Sequence, residues 1–70
     1  MKKFNIKWTN MYSDETGYVA KLSLVNKCFI NTYIKEEAKK YVSERAANNE
    51  IARLEMFGEA ENNIFEIEEV

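Results

Sequence analysis

The residues best suited to chemistry in this chain are carboxylates in pairs: Asp14 beside Glu15, and Glu66 two positions before Glu68. Two neighbouring acids can act as general acid and base when a desolvated pocket drives their pKa values apart. Both pairs here stand among other polar residues, so they read as solvated carboxylates rather than catalysts. Asp14, Glu15 and the carbonyls around them do not match the ligand spacing of a calcium loop. The chain has no histidine and a single cysteine, Cys28, so the usual zinc sets, a Cys-His nucleophile pair, a histidine base and an internal disulfide are all excluded. Cys28 lies in an apolar run and reads as a small core or near-core residue. Gly17 and Gly58 are isolated from each other, which leaves no phosphate-cradling loop and no dinucleotide fingerprint. No catalytic, cofactor-binding or metal residue is expected, and the function points away from an enzyme.

Basic and aromatic residues offer a different chemistry. Lys2, Lys3 and Lys7 flank Phe4 and Trp8, and strands of that composition can stack bases along a basic groove. Lys35, Lys39 and Lys40 form a second cluster, and the six lysines together define nucleic-acid binding as the alternative reading. Against it, Phe4, Ile6 and Trp8 alternate with Lys3, Asn5, Lys7 and Thr9, so a strand here buries its aromatics and gives its lysines to water. Charge is divided along the chain. Residues 1–40 carry eight lysines against four acids, +4, and residues 41–70 carry two arginines against eight glutamates, −6, for a net −2. Such asymmetry marks a basic arm or an acidic contact surface only if folding does not interleave the two halves.

The elements that would position these groups follow from periodicity. At 70 residues and 8.2 kDa, with no proline, the chain suits one domain over residues 1–70. A first strand covers the alternating segment to Thr9, and Asn10 to Gly17 reads as a loop whose glycine is free to take positive φ. A second strand over about Tyr18 to Val25 and a third over about Cys28 to Tyr33 flank Asn26-Lys27, a two-residue turn in which asparagine takes the left-handed conformation. That turn sets Val25 opposite Cys28 and Leu24 opposite Phe29, with Tyr18, Ala20, Leu22, Leu24, Phe29 and Tyr33 on one face and Val19, Val25, Cys28, Ile30 and Ile34 on the other. Both faces are then partly apolar, so pattern alone leaves the register open.

Residues 35–57 have the composition of one long helix, but their phase forbids it. Ala47, Ile51 and Leu54 share one side of a helical cylinder, whereas Ala38, Tyr41 and Val42 project from the other. Ser43 is a good N-cap, Glu44 suits a first turn and Gly58 suits the position after a helix end, so the helix is expected over about Glu44 to Phe57. Lys35 to Val42 becomes a short turn or irregular connection with Lys40 to Val42 extended. Glu59 to Asn63 reads as a turn, and Ile64 to Val70 as a closing strand with Phe65 and Ile67 toward the helix and Glu66 and Glu68 toward water. The expected fold is α+β, a small two-layer domain: a mainly antiparallel sheet of three to four strands in the order β-β-β-α-β, with one main helix packed on one face.

The run Ala38-Lys39-Lys40-Tyr41, then Ser43-Glu44-Arg45-Ala46, Ile51, Leu54, Gly58 and the ending Phe65-Glu66-Ile67-Glu68-Glu69-Val70 resembles small uncharacterised proteins of Gram-positive bacteria and their phages, as do Lys7-Trp8-Thr9 and Gly17-Tyr18-Val19. The resemblance consists of core, cap and turn positions and brings no functional residue with it. It implies a phage or prophage accessory protein that binds and modulates a host protein. On the residues themselves, Met56 falls outside the core stripe of the helix, Met11 and Tyr12 sit in the first loop, and Glu59 and Glu61 follow the helix. These five form the expected partner surface of a protein-binding module, and the same kind of surface could join two copies of the chain. No apolar stretch approaches the ~18 residues of a membrane span or the core of a signal peptide, and the lone cysteine suits a reducing compartment, so the expected location is cytoplasmic, away from membranes.

Overall fold

Four strands and one helix make up the computed structural model, which describes residues 2–70, Ala60 by its backbone alone. Strand β1 (Phe4–Asn10) is followed by β2 (Thr16–Ser23), β3 (Cys28–Thr32), helix α1 (Glu44–Met56) and β4 (Asn63–Glu69), with short 3-10 turns at Lys35–Glu37 and Glu59–Glu61. The strands form one antiparallel sheet in the order β3-β2-β1-β4, the β-β-β-α-β arrangement that periodicity implies.

Strand β1 is central because its alternation serves two purposes. Phe4, Ile6 and Trp8 face α1 and are buried, while β4 pairs with β1 along its full length, from Phe4 opposite Glu69 to Asn10 opposite Asn63. That register sets Phe65 and Ile67 on the helix side, where Ala47, Ile51 and Leu54 of α1 complete the core. The helix begins where the cap demands. Ser43 is extended, its Oγ accepts the Ala46 amide at 3.1 Å, and Gly58 takes the left-handed conformation at φ 84° just after the helix ends. Replacing Ser43 with Ala orphans that amide and is expected to cost about 1 kcal/mol, measurable by urea denaturation.

Gly17 is needed for space, not for positive φ. The left-handed residue of the first loop is Asp14, φ 61°, whereas a Cβ on Gly17 would lie 2.8 Å from the Trp8 ring and 2.9 Å from the Thr32 carbonyl oxygen. The indole lies across β2 at this point, its Nε1 donating to the Tyr18 carbonyl at 3.2 Å. Because one of the obstructing atoms is backbone, Gly17→Ala must displace a strand, and a loss of roughly 1–2 kcal/mol is expected in the same denaturation assay.

The second hairpin corrects the two-residue turn. Ser23 pairs with Cys28, so the loop has four residues, Leu24 to Lys27, and its left-handed residue is Lys27, φ 52°, rather than Asn26. Leu22, not Leu24, stands opposite Phe29. Between Val19 opposite Asn31 and Lys21 opposite Ile30, Ala20 is an extra residue, a bulge that shifts the phase of β2. Val19 and Leu22 consequently both reach the core side, although strict alternation places them on opposite faces.

Where β2 leaves β1, the chain passes through the sheet. The two strands pair only from Lys7 to Thr9, and the extended stretch Lys39 to Tyr41 takes the vacated edge. The Lys39 amide donates to the Val19 carbonyl at 3.0 Å, and Tyr41 exchanges two backbone bonds with Phe4 at 2.8 and 2.9 Å. Before this crossing, Lys35 stands on the outer face beside Glu68, and after it α1 lies on the inner face. Ala38 and Tyr41 are buried, but Val42, which the phase argument groups with them, is exposed, because an extended connection turns Tyr41 and Val42 to opposite sides. Tyr41 and Lys39 both reach Glu50 of α1, the tyrosine hydroxyl donating to its carboxylate and the lysine Nζ lying 3.2 Å away, which fastens the crossing to the helix.

Candidate interaction surface

Folding gathers the five residues of the expected partner surface at one end of the sheet. Asn10 organises the first loop by accepting the Tyr12 and Ser13 amides at 2.9 and 3.0 Å, and the Met11 amide donates to the Asn62 carbonyl at 2.9 Å. This bond ties the loop to the segment that carries Glu59 and Glu61, reached from Met56 through Gly58. Tyr12 and Met56 are 80% and 83% exposed and Met11 45%, while Glu61 is exposed and Glu59 half-buried. The end thus presents two highly exposed apolar side chains.

The six lysines do not form one basic stripe. Lys35 lies 3.0 Å from Glu68, Lys39 3.2 Å from Glu50 and Lys2 3.8 Å from Glu69, while Lys7 stands opposite Glu66 in the β1–β4 register. Pairing β1 with β4 sets the positive start of the chain against its negative end, so folding interleaves the two charges along this pair of strands. Lys3 is half-buried, and Lys40 is exposed next to the crossing.

Glu68 is therefore not simply turned to water. Its carboxylate accepts from Lys35 and, at 3.4 Å, from the Tyr18 hydroxyl. The Lys35 hydrogen bond lowers the Glu68 pKa below the ordinary 4.5, and the same bond raises that of Lys35 above 10.5. The pair's contribution is complete between those values. It fades as acid protonates Glu68 through its lowered pKa and as base deprotonates Lys35 through its raised one. Both groups sit at the surface, so stability shifts little, but carboxyl NMR resolves the effect. Glu68 is expected to titrate below the ordinary 4.5 and to move up toward that value in Lys35→Met.

A surface that periodicity did not single out lies along β3. The sheet ends in two edges that differ in chemistry: β4 bears Glu66, Glu68 and Glu69, whereas β3 reads Cys-Phe-Ile-Asn-Thr with no charge. Around β3 the exposed apolar side chains concentrate, with Val25 at 92%, Leu24, Ile30, Tyr33 and Ile34. Helix α1 packs over β1 and β4, so Leu22 and Phe29 at the β2–β3 side stay half-buried. Phe29 is held edge-on to Phe65 at 5.5 Å, and Tyr33 edge-on to Trp8 at 5.9 Å, its hydroxyl donating to Glu15 at 3.0 Å. That bond to Glu15 raises the Tyr33 pKa.

No family model, curated protein or solved structure matches the chain. Among the described residues there is no cavity, no group of three cysteine or carboxylate side chains placed to hold a metal, and no helix long and apolar enough to cross a membrane. The signal that could have pointed to β3 was present as its lack of charge beside the glutamate-rich closing strand. Its position at an edge depends on strand order, which periodicity does not give.

Proposed function

We propose that this chain is a non-enzymatic protein-binding module that accepts an extended segment of its partner along β3. The observation that carries the reading is the contrast between the edge strands: β4 carries three glutamates, and β3 itself carries no charge. An edge strand presents alternate N–H and C=O groups ready to pair, and natural proteins blunt such edges with charge when pairing is unwanted. A strand added at β3 gains backbone hydrogen bonds from this row and specificity from its neighbours, Ile30 on one face and Phe29 on the other. In the setting implied by the likeness to small Gram-positive and phage proteins, the partner is a host protein whose activity is modulated by the contact.

Tagged protein incubated with bacterial lysate, with and without nuclease, tests this against nucleic-acid binding. The expected result is that proteins are retained after nuclease by the natural sequence and lost by Ile30→Lys, which puts a charge at the centre of the edge. Retention that disappears with nuclease, or that Ile30→Lys leaves unchanged, overturns the reading.

A further inference from the structure

Resting on that reading, we propose that a second copy of this chain occupies β3, the two β3 strands pairing antiparallel about a two-fold axis at Ile30. The strand is self-complementary in this register. Ile30 meets its own counterpart, Phe29 meets Asn31 and Cys28 meets Thr32, so no like charges face each other. Strand β4 lacks this property, because a two-fold axis at its middle residue brings Glu66 against itself.

The ends of β3 are complementary in charge as well. Lys27 precedes the strand, and Tyr33, which follows it, holds the Glu15 carboxylate at 3.0 Å. Antiparallel pairing about Ile30 sets Lys27 of each copy beside Tyr33 and Glu15 of the other, so the favourable contact occurs twice. The same operation draws the exposed Leu24-Val25 tip alongside Ile34 of the second copy. An axis normal to the sheet keeps both α1 helices on one face of an eight-stranded sheet. Leu22 and Phe29, which α1 leaves half-buried, then line the middle of that face in both copies. A contact built on five-residue strands belongs with small interfaces, so the dimer is expected to be reversible and concentration-dependent.

Sedimentation velocity over a concentration series is the test, with two variants. The natural sequence is expected to move from 8.2 kDa toward twice that mass as concentration rises. Ile30→Lys should remain monomeric with an unchanged circular dichroism spectrum, since Ile30 is 44% exposed and its loss opens no cavity. In a Cys28→Ser background, Ile30→Cys should form a disulfide-linked dimer under mild oxidation, whereas Met56→Cys, at the C-terminal end of α1, should not. A natural sequence that stays monomeric throughout overturns the proposal, as does Ile30→Lys dimerising equally well or Met56→Cys cross-linking as readily. If the chain is monomeric but Ile30→Lys still abolishes retention of lysate proteins, self-pairing fails and the binding edge stands. If Ile30→Lys affects neither property, both fail.

Discussion

Trp8→Ala is expected to remove roughly half of this protein's stability, about 3–5 kcal/mol. The indole is buried, spans β2 over Gly17, donates to the Tyr18 carbonyl and contacts both Phe29 and Tyr33. It ties β1 to the β2–β3 hairpin, whereas α1 packs mainly over β1 and β4. Truncating a buried tryptophan costs about 3–5 kcal/mol through lost transfer energy and the cavity left behind. A domain of this length has only roughly 4–10 kcal/mol in total. The void cannot close easily, because the glycine beneath the ring has no side chain to fill it. Circular dichroism and one-dimensional proton NMR would report the result. A cooperative unfolding transition within ~1 kcal/mol of the natural protein would show that the indole is not the link between hairpin and core.

Asn5→Val, by contrast, is expected to stabilise the protein by about 1–3 kcal/mol. Asn5 is fully buried, and neither its Nδ2 nor its Oδ1 has a hydrogen-bond partner. It lies on the outer face of β1, opposite Glu68, on the face from which the Lys35–Ala38 stretch enters its passage through the sheet. A buried amide with donor and acceptor both unsatisfied costs about 1–3 kcal/mol by mutational measure. Valine removes those polar atoms, keeps most of the volume and prefers extended backbone. Chemical denaturation measures the gain directly. A loss of stability would instead identify a water buried beside the amide, supplying the bonds that no protein group makes.

These two residues mark the limit of what periodicity could show. Alternation names Trp8 as core, but its placement across Gly17 depends on the β1–β2 register, and that register converts the glycine from a flexible turn residue into a spatial necessity. Alternation also assigns Asn5 to water. It is buried because a segment 30 residues later crosses that face before threading the gap between β1 and β2.

The sequence by itself determined what local physics controls. The period-two run of β1 and the closing strand, the Ser43 cap, the Gly58 stop and the opposed phases of Ala38 and Ala47 each act within a few residues, and each predicted its element. Tertiary structure alone decided the rest. The bulge at Ala20 reverses the facing of half of β2 because Val19 and Leu22 both gain burial against a core assembled from other elements. The four-residue Leu24–Lys27 loop follows from that altered register. Charges far apart in the chain come side by side because β4 pairs with β1. An uncharged strand becomes the candidate binding edge only because the closing strand joins the opposite side of the sheet. In each case the deciding energy lies in contacts between residues distant in sequence, which no local pattern records.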